Sequence, residues 1–229
     1  MKATVQRTDI TYEVSFKKPL ISQTGRDAIF TSLYESMAEN FLVTLTDVTI
    51  NAGPSPANIA AAISLFGGAA SIVMRLDSWR AEFRNIQSED DRKLALRCLN
   101  LAAGAIESSD RVLPARRTAT VASWLACEEG EAGVATLLRQ YGSPGKIEAD
   151  FLGAAELDFA INPTLRNPTE GWDSTFYISR SQLSGTHLFV NYIGHYIEGG
   201  RYNSIDQLTE HVRFMLRGML EKLGVQLPS

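Results

Sequence analysis

The sequence predicts an α+β fold, with an antiparallel sheet or sheets packed by amphipathic helices. Three observations carry that expectation. Ile10, Tyr12, Val14 and Phe16 alternate with Thr11, Glu13 and Ser15, the two-residue period of a half-buried strand. Helical stripes recur between such stretches, the clearest from Ile205 to Leu223. Two apolar runs, residues 174–182 and 186–198, flank Ser184 and Gly185 as the arms of a β-hairpin would.

Taken in order, the first strand ends at Pro19. A helix follows over residues 26–40, with Ile29, Leu33, Met37 and Phe41 at four-residue spacing. Residues 41–50, rich in Val, Thr and Leu, read as a strand closed by Asn51-Ala52-Gly53-Pro54. A short buried helix is expected over 56–65, then a Gly67-Gly68 turn, then a strand within 71–86 that carries Arg75, Asp77 and Arg80. Ser88 caps the next helix, with Glu89, Asp90 and Asp91 in its first turn, and the helix runs to about Ile106. Residues 117–127 form a strand and 131–141 a short helix. Gly142-Ser143-Pro144-Gly145 is a turn, 147–161 a long strand that Gly153 interrupts, and 162–169 a loop stiffened by two Asn-Pro-Thr steps. In the last helix Asn203 or Ser204 is the cap. Ile205, Leu208, Val212, Met215, Leu216, Met219, Leu220 and Leu223 form its stripe, and Gly224 stops it.

This order can be written as two strand–helix–strands–helix halves, residues 1–112 and 113–229, joined in one unit. The alternative is a single curved sheet around the C-terminal helix, similar to helix-grip ligand-binding folds. Arg75-Leu76-Asp77 before a helix and a further strand resembles a sporadically distributed bacterial family, and no membership is assigned on three residues.

Composition narrows the function classes. Lys and Arg number 22 and Asp and Glu 26, a net charge of −4, so the surplus of cations that sequence-independent nucleic-acid binding needs is missing. Arg111, Arg116 and Arg117 could form a local basic patch, but a solvated loop and strand start is the plainer reading. Two cysteines make no disulfide framework. Cys98 reads as a small buried hydrophobe, and Cys127 is followed by Glu128 and Glu129, which disfavour a thiolate. The N-terminus has no apolar leader, which points to the cytoplasm. Residues 57–74 contain 18 consecutive uncharged residues, the length at which a membrane span becomes a candidate. Their Ala, Gly and Ser content argues against insertion.

No constellation predicts catalysis or a metal. His187 and His195 stand eight residues apart on one strand, about 26 Å at a strand's rise, too far to share an ion, and His211 falls on the flank of the last helix. No G-x-S-x-G elbow or phosphate loop is present, and Ser181 and Ser184 fit a turn. Gly199-Gly200-Arg201 could hold an anion, although a strand-to-helix turn with a solvated Arg accounts for it. The carboxylates Glu156 and Asp158, like Glu128, Glu129 and Glu131, fit a wet sheet face as well as acid–base chemistry.

The aromatic residues are the candidate site. Trp172, Phe176, Tyr177, Phe189, Tyr192 and Tyr196 crowd the C-terminal hairpin, and the strand over 186–198 is apolar on both parities. Its second face needs a cover. The expected function is a non-enzymatic binding or protein-interaction module, a homo-oligomer or the holder of a protein partner. It would act through Trp172, Tyr177, Phe189, Tyr192, His195 and Tyr196, without cofactor, metal, nucleic acid or membrane. The alternative is a small-molecule-binding or enzymatic domain, with Tyr177, Tyr192 and His195 lining a cavity under the last helix.

Overall fold

A computed structural model describes residues 1–52, 59–142 and 159–228. Within them the elements run β1 (Ala3–Phe16), α1 (Gln23–Phe41), β2 (Val48–Ala52), β3 (Ile59–Leu65), β4 (Ala70–Arg75), β5 (Ser78–Ile86), α2 (Glu89–Glu107), β6 (Pro114–Cys127), α3 (Gly130–Gly142), β7 (Thr164–Asn167), β8 (Trp172–Arg180), β9 (His187–Ile197) and α4 (Ile205–Lys222). The strands form a single antiparallel sheet in the order β2-β3-β4-β5-β1-β6-β9-β8-β7. The fold is therefore α+β, as the strand and helix periods require.

One face of every long strand turns to the helices. Tyr12, Val14 and Phe16 on β1 share that face with Trp79, Ala81 and Phe83 on β5 and with Ala119 and Val121 on β6. All four helices contribute to the same core: Ile29, Leu33 and Met37 from α1, Cys98 and Ala102 from α2, Val134 and Leu138 from α3, and Leu208, Val212 and Leu220 from α4. The opposite parity is half-buried. Its middle carries Thr11, Glu13, Thr118 and Thr120, the composition of an antiparallel face that meets water.

Helix starts follow their caps. The Ser88 hydroxyl accepts from Asp91 N–H while the Asp91 carboxylate accepts from Ser88 N–H, and Ser204 and Gln207 repeat this reciprocal pair on α4. Gly224, at φ +73°, takes the left-handed turn that ends α4.

Four stretches depart from the sequence expectation. Ile59–Leu65, expected as a helix, is β3, because its Ala-rich backbone pairs with β2 on one side and β4 on the other. Residues 41–50 are not one strand: Leu45–Asp47 is a 3₁₀ turn and β2 begins at Val48. The expected strand within 71–86 is a hairpin, β4 and β5, turned at Leu76 and Asp77. The Asn-Pro loop contains β7, which pairs with β8 at the sheet edge. The turns at Gly53-Pro54 and 143–145, most of the 147–161 strand, and Glu156 with Asp158 lie outside the described residues. Among the described residues no helix is long and apolar enough to cross a membrane, and the uncharged run supplies β3 and β4.

Candidate functional site

The six aromatic and His positions fall on two faces. Tyr192 and Tyr196 sit at even positions of β9 and point beneath the helices, and Trp172 opens β8 on the same side. Phe189 and His195 have odd parity and lie on the opposite face with Tyr177. The three residues expected to line one cavity are thus separated: Tyr192 is under the helices, while Tyr177 and His195 are not.

On the open face Phe189 packs against Trp124 of β6 at 5.0 Å between ring centroids and against Tyr177 at 6.5 Å. The Arg7 guanidinium lies 4.7 Å over Trp124 and is itself held by Asp9. His195 Nδ1 shares a hydrogen bond with Thr118 at 3.1 Å.

Under α4 a second group forms. The Tyr192 and Tyr196 hydroxyls meet at 2.8 Å, and the Tyr196 hydroxyl is 3.1 Å from His211 Nδ1. Two tyrosines four residues apart on one strand face would normally stand parallel. Here they lean together across Gly194, where a Cβ would lie 2.6 Å from one hydroxyl and 2.8 Å from the other. The His211 ring is 6% exposed, stacked on Tyr202 at 4.1 Å and tilted against Trp172 at 4.8 Å. Burial holds its pKa below the usual imidazole value, so the ring is neutral near pH 7. Burial also drives both phenols up, the opposite of what a tyrosinate nucleophile or base needs.

Glu170, on the turn between β7 and β8, organises the mouth. Its carboxylate accepts from Trp172 Nε1 at 3.1 Å, from Tyr202 Oη at 3.5 Å and from Arg201, and these donors lower its pKa. Arg201 is therefore paired, and the Gly200 and Arg201 N–H groups donate to the Ile197 and Glu170 carbonyls, which disposes of the anion-cradle reading of that turn. Between this cluster, the β7 residues Leu165 and Arg166, and the α4 residues Gln207, Glu210, His211, Phe214 and Met215 runs a groove of about 780 Å³. Tyr202, Glu170, His211 and Phe214 were missed from the sequence because they come from three separate elements. The pattern Tyr192-x-Gly194-x-Tyr196 was the available signal.

The basic cluster also separates. Arg117 is not solvated: it is buried at the sheet centre, 2.8 Å from Glu107 at the end of α2, and it also bonds Glu198. Burial works against its charge, yet Tyr12 and the two carboxylates outweigh that and raise its pKa. Arg116 and Arg111 stay exposed. Glu129 receives Lys2 N–H, and Glu131 pairs with Arg180 at 2.7 Å. Burial pushes the Cys98 thiol up to about 12 and, with Glu129 adding to it, raises that of Cys127. Among the described residues no group of three His, Cys, Asp or Glu side chains could hold a metal ion. Comparison with known proteins adds no assignment to this geometry: no family model matches the chain, and no curated protein matches its sequence.

Proposed function

We propose that the protein is a non-enzymatic interaction module that binds through the aromatic groove between β7, β8 and α4. One observation carries the reading. Phe214 stands 72% exposed at the groove, on the same helix as five buried side chains. Leaving such a ring in water forgoes about 1.5–3 kcal/mol of burial, and it stands with Leu165, Trp172, Tyr202 and Met215 along one groove. The groove's volume falls within the range of ligand sites, about 300–1,000 Å³.

The polar groups support binding over catalysis. Glu170 is committed to Trp172, Tyr202 and Arg201, and His211 is fixed through Nδ1 to a phenol of raised pKa. A small-molecule ligand in the same groove is the second reading, favoured by the Tyr192–Tyr196–His211 chain on its floor. Native mass spectrometry of the purified protein separates the two, since a retained small mass selects the second.

The groove itself is tested with anilinonaphthalene sulfonate, a dye that brightens in open apolar sites. The folded protein should bind it saturably, and Phe214→Asp should weaken that binding at least tenfold without moving the melting temperature. Dye affinity unchanged by Phe214→Asp would remove the groove as the binding site.

A further inference from the structure

A buried ion group is weak evidence for stability, because well-packed apolar side chains of similar volume often do as well. What sets Arg117 apart is where its two arms go. One nitrogen donates to Glu107 at 2.8 Å, and the same carboxylate accepts from Trp79 Nε1 at 3.2 Å, so this arm ties the end of α2 to the sheet. The other donates to Glu198, the residue that follows β9.

Glu198 stands immediately before Gly199 and Gly200, which have no side chains to hold the turn into α4. Its N–H donates to the Ala115 carbonyl at 3.2 Å. Beyond it the turn lies backbone to backbone on the turn between β7 and β8. A Cβ on Gly200 would stand 2.8 Å from the Glu170 carbonyl oxygen, and one on Gly171 would stand 3.2 Å from the Gly200 Cα. Ile197 N–H donates to the Gly171 carbonyl at 2.9 Å and Arg201 N–H to the Glu170 carbonyl at 3.0 Å, while the Arg201 guanidinium holds the Glu170 carboxylate. That carboxylate in turn orients Trp172 and Tyr202 at the groove mouth. On the sheet Arg117 is the cross-strand neighbour of Tyr196, and Tyr196 that of Trp172, so the fork also borders the groove floor.

We infer that Arg117 is a positioning residue for the groove: through Glu198 it fixes the glycine turn that brings Arg201 and Tyr202 onto Glu170. The inference rests on the groove being the interaction site. Two turns in contact this close cannot shift independently, so a displacement at Glu198 reaches the partners of Glu170. Glu107 is the matched comparison. It takes the other arm of the same guanidinium and, among the described residues, bonds neither turn.

The test compares Glu198→Ala with Glu107→Ala. Each leaves Arg117 one carboxylate, so both variants should fold. Amide hydrogen exchange followed by NMR should show the Ile197 and Arg201 amides exchanging at least tenfold faster in Glu198→Ala, beyond any change at the sheet-centre amides of β1. The dye should bind this variant at least threefold more weakly. Glu107→Ala should move neither readout, whatever it does to the melting temperature. Equal effects of the two variants on those amides, or no effect of Glu198→Ala, would overturn the inference. Dye affinity that ignores Glu198→Ala yet falls on Phe214→Asp would also overturn it and leave the groove standing. Dye affinity that ignores Phe214→Asp removes the groove, and the exchange comparison alone then decides whether Arg117 sets the turn.

Discussion

Gly194→Ala is the sharpest probe of the buried hydroxyl chain. Alanine in place of glycine inside a strand ordinarily stabilises by about 0.5–1 kcal/mol, through the entropy of the unfolded chain. Here the added Cβ would sit 2.6 Å from the Tyr192 hydroxyl, 2.9 Å from that ring's Cε1 and 2.8 Å from the Tyr196 hydroxyl. Moving one hydroxyl is not enough, because the ring edge is also too close, and both rings are buried. Relief requires the tyrosines to part. That breaks their mutual bond and strands the Tyr192 hydroxyl, which water does not reach, at about 1–3 kcal/mol, while Tyr196 keeps its bond to His211. Overpacking adds about 1–3 kcal/mol, so the net loss should be about 2–5 kcal/mol. Urea unfolding should show this as a lower midpoint at unchanged slope. Tyr192→Phe removes the nearest atom, so the double variant should lose less than the two single losses combined. A Gly194→Ala protein as stable as the parent, or more so, would show that the tyrosines do not converge over this residue.

Two further outcomes follow from buried charge and its absence. The unfolded His211 imidazole takes its proton near its ordinary value of about 6.5, whereas in the folded protein burial delays protonation, with Arg201 adding to that and Glu170 opposing it. The unfolded state therefore holds more protons just below that pH, and stability falls as pH drops from about 7.5 to 5.5. His211→Gln should flatten that part of the melting-temperature profile, and an unchanged profile would dismiss the assignment. Arg117→Met should cost about 3–5 kcal/mol by leaving Glu107 and Glu198 unpaired at the sheet centre. Adding Glu107→Gln and Glu198→Gln should recover most of it, and a single variant that melts like the parent would show that Arg117 does not hold the two carboxylates.

Elements with a strong period or cap were legible in the chain: β1, α1, α2, the β8–β9 hairpin and α4. Ile59–Leu65 was not, because alanine's helix preference is a local quantity and the pairing with β2 and β4 that overrides it is not. The Leu76-Asp77 turn was hidden for lack of a Gly or Pro to mark it, and β7 by its four-residue length between two prolines. At the site, parity already divided Tyr192 and Tyr196 from Phe189 and His195; only the face each set occupies needed the fold. The convergence of Trp172, Tyr202 and His211 is a different kind of fact. It joins a strand start, a loop and a helix flank, and no sequence spacing encodes that meeting.

α2 and α4 each start at a serine closing a reciprocal cap, and setting Ser88 against Ser204 compares their faces position by position. Where α2 places Ala95 and Cys98, both buried and apolar, α4 places a buried imidazole and an exposed benzyl ring three residues later. The two placements differ in opposite senses: one puts a polar ring out of water, the other leaves an apolar ring in it. The first is offset by Tyr196 and by stacking on Trp172 and Tyr202, so the imidazole is held in place by three neighbours. The second is offset by nothing within the described residues. Departures from local consistency concentrate where a protein binds something, and here two lie within one helical turn, facing the same groove.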